Sequence, residues 1–346
     1  MSNVLINRFK TLPRLAARRF FVIAAVADFF GRRAFAREIE AVYSGMRKHH
    51  QGRDRGHDVF FVRRHIHMLE KGLSMVPRRD TFGVDYIGEL ISAVQTSESQ
   101  GRLDPVTAAW VADTLDAYFE ATSSSTSDEI VRARESYALM KFADRSPEYL
   151  GPVQVGVGVD TLPSYEDILA LSHSRQSVRW FEDRAVDRKY VDRAIDVAIQ
   201  APSACNRLPY RFIVIDDKDL IGAVASIPGG TKGYVHNIVG LVAVVGDLSA
   251  YAHSRDRHLI YVDSSLATMG FLFAMQTQGI STCCINWPDS ADADAEMAKV
   301  VGLEKYERTV MLVAYGYPLS AGMVPGSGKR HLDSVRTFVN DGGKTA

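Results

Sequence analysis

From Tyr165 onward the chain alternates helical and strand patterns at short intervals, which restricts its second half to a central sheet covered by helices. The spacing predicts a helix to about His173, a short extended piece "SVRWF", a helix over 188–200 and a strand at "YRFIVID". A helix over 218–226, a Gly-rich loop "PGGTKG", a strand at "GLVAVVGDL" and a long helix over about 255–278 come next. Strands at "STCCINW" and "RTVMLVAYGYP" flank a last helix, "ADADAEMAKVVG". The long helix carries Leu259, Val262, Leu266, Met269, Phe271, Leu272 and Met275 around much of its circumference. It is therefore expected to be largely buried, in the fold or in a subunit interface.

The first half has a different texture. Residues 1 to about 120 read as mostly helical, with a basic amphipathic start, then "FFVRRHIHMLEKGLSM", then "PVTAAWVADTLDAYFEA" behind Asp104. "TSSSTSDE" (122–129) and "GPVQVGVGVDTLPS" (151–164) can bury little surface, which places the join between 145 and 163. The expected organisation is a helical extension over 1–150 and a second domain over 163–346.

Lys plus Arg and Asp plus Glu both number 41, so no global field exists to gather nucleic acid, and any anion site must be local. Cys205, Cys283 and Cys284 have no metal-ligand spacing, and a reduced, cytoplasmic setting fits them. The apolar run Phe20–Phe30 is about half the ~20 residues of a membrane span and is interrupted by Asp28. Its bracketing arginines permit a surface-lying helix over residues 15–36, but packing on the protein's own core is the preferred reading. No small-residue cleavage site follows, so no signal peptide is read.

Four clusters on the connections of the second half carry possible chemistry. "SRQSVRWF" (174–181) offers two arginines around a serine, suited to a phosphate or to an extended polar chain. "APSACNRLPY" (201–210) holds more turn-forming and polar residues than a plain connector needs. "GGTKGYVHN" lets backbone approach a ligand and ends on Asn237, a two-way hydrogen bonder. "SGKRHL" (327–332) puts adjacent cations in a flexible setting. Each has an ordinary structural reading, since arginines after a helix usually cap it or meet solvent, and the Gly-rich loop has no nucleotide-fingerprint spacing. His65, His67 and Glu70 invite a metal, but a two-residue spacing turns the two imidazoles to different sides of a helix, and no metal site is expected. A basic patch of Arg63, Arg64, His67 and Lys71, facing substrate or docking the domains, is the better reading.

The order of these clusters over about 165–332 resembles the FMN-dependent nitroreductase family, with "SRQSVRWF", "APSACNRLPY" and "GKR" standing where that family has similar motifs. The resemblance implies an α+β fold with a mostly antiparallel central sheet covered by helices, here preceded by the helical extension, and a homodimer with FMN at the interface. By position it implies that Arg175, Gln176, Ser177 and Arg179 hold the phosphate and one flavin edge. Pro202, Ser203, Ala204 and Asn206 would line the same flavin from the other subunit, Asn237 would lie beside the pyrimidine ring, and Lys329 and Arg330 would close on the phosphate. Cys284, Ile285, Asn286 and Trp287 fall where the family sends a backbone N–H to flavin N5, with Asn286 and Trp287 nearest. Leu208 and Tyr210 depart from the family's usual glutamine and tryptophan, and Gly240 stands where some members carry a lysine. The implied reaction is ping-pong transfer from NAD(P)H to a nitroaromatic, quinone or enone, with no catalytic residue beyond the flavin. Two alternatives stand beside it: a member dedicated to one biosynthetic intermediate, and a non-enzymatic flavin sensor.

Overall fold

The computed structural model describes residues 34–56, 58–140, 142, 148–156, 161–340 and 343–345, so the Phe20–Phe30 run and most of the 15–36 segment lie outside the described residues. The first half forms α1 (Ala34–Asp54), α2 (Val59–Leu73), α3 (Ile87–Ser99), α4 (Pro105–Ala121) and α5 (Asp128–Ala138). Asp58 caps α2 by accepting from the Phe60 and Phe61 amides, and Asp104 caps α4 ahead of Pro105. Phe61, Val62, Ile66 and Leu69 recur on one face of α2 and pack with Leu90, Val94, Leu115 and Ile130 around the buried Tyr118. The Tyr118 hydroxyl donates to the Phe82 carbonyl at 2.7 Å, which satisfies the one polar atom of that ring. Helix α5 begins inside the Ser/Thr-rich stretch read as linker. It buries only Ile130 and Ala133, too little apolar patterning to show in the sequence.

In the second half, β1 (Tyr210–Ile215), β2 (Gly240–Asp247), β3 (Ser281–Asn286) and β4 (Glu307–Gly316) form a sheet of order β1-β2-β4-β3. Every pairing is antiparallel, with a bulge at Val244/Val245. The period of two on β2 sends Leu241, Ala243 and Val245 toward Ile221 and Val224 of α8 (Lys218–Ser226) and Met297 of α10 (Ala291–Val301). Val242 and Val244 point the other way, onto Phe271 and Met275 of α9 (Leu259–Thr277) and Val191 and Ala194 of α7 (Arg188–Ala198). A strand covered on both faces has to read as the unbroken apolar run seen in the sequence. Gly240 has a local reason to be glycine: any Cβ there would collide with the Tyr315 ring.

Helix α9 is buried along one side only. Tyr261, Val262, Leu266 and Met269 are 39–51% exposed on the other, and α6 (Tyr165–Ser174), which contacts α9, buries no residue and exposes Tyr165, Ile168 and Leu169. Among the described residues, the segment Ser254–Thr277 alone is long and apolar enough to cross a membrane, and half of it is buried in the fold.

The two halves are packed together. Ala41 and Val42 of α1 join Leu248, Ala250, Tyr251 and Ile260 in a small core, and Gly45 lies against the Leu248 backbone. Around it Arg37 pairs with Asp289 and Asp294, Arg308 donates to the Arg37 carbonyl at 2.8 Å, and His49 lies 2.7 Å from Asp58. A short hairpin, β5 (Phe338–Asn340) with β6 (Gly343–Thr345), ends the described chain and was not anticipated.

Candidate active site

Helix α6 ends at Ser174, and the chain then runs extended along the outer edge of β3. Ser177 bridges Thr282 in parallel, the Val178 amide donates to the Thr282 carbonyl at 3.1 Å, and the buried Phe181 bridges Pro318. Arg175, Gln176, Ser177 and Arg179 are thereby fixed at the sheet edge. They line a cavity of about 380 Å³ together with Lys329 and the loop 325–328. Three cations and no carboxylate face it. Among the described residues the side chains of Arg175, Gln176 and Lys329 have no hydrogen-bond or ion-pair partner, and the Arg179 guanidinium lies 5.8 Å from the Tyr234 ring. Converging unpaired donors of one sign fit a phosphate, and so fit the phosphate end of FMN.

Asn237 stands behind this cavity. Its Oδ1 accepts from the Phe181 amide and its Nδ2 donates to the Phe181 carbonyl at 3.0 Å, so it pins the arginine-bearing segment to the loop before β2. Arg330 turns away: its Nη2 donates to the Ser334 carbonyl at 2.7 Å, and it is not on the cavity wall.

The 202–208 loop is built from backbone that side chains rarely adopt. Cys205, Asn206 and Leu208 have φ of 54°, 49° and 50°, in the left-handed region. Three braces hold it. The Leu208 amide donates to Ser203 Oγ at 3.0 Å, the Ala204 amide to Asp263 Oδ2 at 3.0 Å, and Arg63 Nε to the Asn206 carbonyl at 2.9 Å. Burial pushes the Asp263 carboxyl above the usual range although the Ala204 amide and the Tyr251 hydroxyl both donate to it. Arg207 is buried beside them with its guanidinium 5.1 Å from the Tyr251 ring. Residues 202–206 do not line the Arg175 cavity of their own chain.

On β3, Cys283 and Ile285 enter the core while Cys284 and Asn286 face the open side. Burial pushes the Cys283 thiol up, which suits packing and not nucleophilic chemistry. Trp287 is sited elsewhere: its Nε1 donates to Asp294 at 2.9 Å, and it lines a separate cavity of about 400 Å³ with Arg37, Tyr261 and Arg308. The structure thus unites Arg175, Gln176, Ser177, Arg179 and Lys329, and sets Trp287, Arg330 and the 202–206 loop apart from them. Sequence reasoning missed Asp263, whose signal was a lone carboxylate inside the apolar run of α9.

The histidines of α2 diverge as their spacing requires. His65 is buried between the Phe61 and Tyr86 rings, its Nδ1–H donates to the Phe61 carbonyl at 2.8 Å, and burial lowers its pKa to about 4. His67 instead faces Glu70 at 3.2 Å. Among the described residues no group of three metal-capable side chains forms.

An antiparallel sheet between helical layers, with a cation-lined recess at its edge, makes the second half an α+β domain equipped for a phosphate-bearing ligand. Residues 173–230 and 234–317 match the model of the nitroreductase family. A protein of Methanothermobacter thermautotrophicus assigned as an NADH dehydrogenase/NAD(P)H nitroreductase is 29% identical over 167 residues, 48% of this chain and 85% of its own. Human iodotyrosine deiodinase 1 is 21% identical over 202 residues, 50% of this chain and 69% of its own. The solved structure of an FMN-dependent nitroreductase from Clostridium difficile is similar at a TM-score of 0.40 and 18% identity, covering 46% of this chain and 92% of that one.

Proposed function

We propose that this chain is an FMN-dependent NAD(P)H oxidoreductase acting as a homodimer. The observation that carries the reading is the recess of Arg175, Gln176, Ser177, Arg179 and Lys329, in which the unpartnered donors of Arg175, Gln176 and Lys329 match a phosphate, within the half of the chain that matches the nitroreductase family model. FMN bound there would supply the redox chemistry, accepting a hydride from a nicotinamide and passing electrons to an electron-poor acceptor such as a nitroaromatic, quinone or enone. Arg175 and Lys329 neutralise the phosphate, Gln176 and Ser177 hydrogen-bond it, and the Arg179 charge favours electron density on the nearby ring edge. Asn237 keeps that row in place through Phe181. The stretch of β3 at Cys284, Ile285 and Asn286, with Cys284 and Asn286 on its open side, would offer backbone to the reacting edge.

Pro202, Ser203, Ala204 and Asn206 serve the flavin site of a second copy. Two features support this: the loop does not line its own chain's recess, and the exposed apolar side of α6 and α9 suits a symmetric partner. A cytoplasmic setting agrees with three cysteines that are all free. Titration of the purified protein with FMN by flavin fluorescence tests the reading. Arg175→Ala should weaken binding by about 1.5–3 kcal/mol, and an unchanged affinity would remove the recess from the site.

A further inference from the structure

We infer that Arg63, on helix α2 of the extension, is a positioning residue for the 203–208 loop; its effect on flavin binding rests on the function proposed above. The guanidinium is held from several sides by its own half of the chain. Its Nη1 donates to Thr107 Oγ1 at 2.9 Å, and that hydroxyl in turn donates to Asp104 Oδ2 at 2.6 Å. The Trp110 ring lies 5.0 Å from the guanidinium, and Trp110 is itself fixed by donating from Nε1 to Glu70 at 2.7 Å. With the fork set by α2 and α4, Nε is left aimed across the junction at the Asn206 carbonyl, 2.9 Å away. Among the described residues no other donor reaches that carbonyl.

The receiving loop has reason to need such a hold. Cys205, Asn206 and Leu208 all occupy the left-handed region, where non-glycine residues stay only if their surroundings over-determine them. Ser203 and Asp263 brace the loop at its start, and Arg63 alone braces the Asn206 carbonyl. Fixing that peptide fixes the direction of the Asn206 side chain, whose amide has no protein partner among the described residues. The extension is thus a working part of the site. Its removal would free the loop even where the nitroreductase domain stays folded.

The test uses the full chain with Arg63→Gln and Arg63→Lys. The first readout is amide hydrogen exchange without cofactor, since the amides of Asn206 and Leu208 are bonded to the Ser203 carbonyl and hydroxyl and are measurable. In Arg63→Gln these amides should exchange at least about tenfold faster while β2 and α9 keep their protection, with Arg63→Lys between. The second readout is FMN affinity, expected to fall on the order of tenfold or more in Arg63→Gln, as for loss of a charged hydrogen bond. Unchanged exchange at 205–208, or acceleration spread evenly over the molecule, would overturn the inference. If Arg63→Gln does not fold, Arg63→Lys carries the same comparison. A wild-type chain that binds no FMN would refute the flavin reading, while the exchange data would still decide the role of Arg63.

Discussion

Gly45→Ala sets two opposed effects against each other in the docking of the extension. In the interior of a helix such as α1, alanine is favoured over glycine by about 1 kcal/mol. The new Cβ, however, would stand 2.6 Å from the Leu248 carbonyl carbon and 2.7 Å from its oxygen. Ordinary contact begins at 3.4 Å, so α1 or the Leu248 backbone must give way by about 0.8 Å (3.4 − 2.6). Leu248 cannot yield easily, because its amide donates to the Tyr306 carbonyl at 3.0 Å and its side chain packs with Ala41 and Val42. Overpacking of this kind costs about 1–3 kcal/mol, so the clash should outweigh the helix gain. Gly222 supplies the control, since it lies within α8 and a Cβ there meets nothing within 4 Å. Gly222→Ala should stabilise by up to about 1 kcal/mol, and Gly45→Ala should destabilise. Urea unfolding of both variants measures the difference, and limited proteolysis between 140 and 164 shows whether the extension has loosened. A Gly45→Ala chain stabilised as much as Gly222→Ala would mean that α1 is not seated on Leu248.

Two further outcomes follow from the same geometry. Asn237→Ala strips both hydrogen bonds from the Phe181 backbone and should cost about 1–3 kcal/mol, read by denaturant unfolding together with weaker binding of inorganic phosphate; wild-type values for both would leave Asn237 without its pinning role. His65 is neutral in the folded chain, its pKa lowered by burial from 6.5 to about 4, so the unfolded chain takes up a proton first as pH falls. The stability it contributes is whole above pH 6.5 and is lost toward pH 4, by up to about 3 kcal/mol. His65→Gln should flatten that part of the profile, and unfolding curves at pH 7 and 4.5 that keep the wild-type difference would assign it to other groups.

Most of the second-half map was legible because each element is punctuated: Asp217 caps α8, Gly302 closes α10 in the left-handed region, and β2 alternates faithfully between two covered faces. The arginine row was legible for the same local reason, as its members lie within five residues of one another. What failed to show depends on distant pairings. Arg63 and Asn206 are 143 residues apart, and nothing in either neighbourhood reports the other. The resemblance sets Trp287 near flavin N5, and the sequence does not show that its indole N–H is taken by Asp294 or that it shares a cavity wall with Arg37 of α1. Helix α9 was expected to be largely buried in the fold or in a subunit interface, and its composition records how much apolar surface it has but not which side the fold covers.

The measurement that tests the central claim most directly is the visible spectrum of the purified chain with equimolar FMN after gel filtration, before and after anaerobic NAD(P)H. The account predicts that flavin absorbance elutes with the protein and that the nicotinamide bleaches it, with reoxidation when a quinone is added. Protein that emerges colourless, with all of the FMN in the small-molecule fraction, would contradict it.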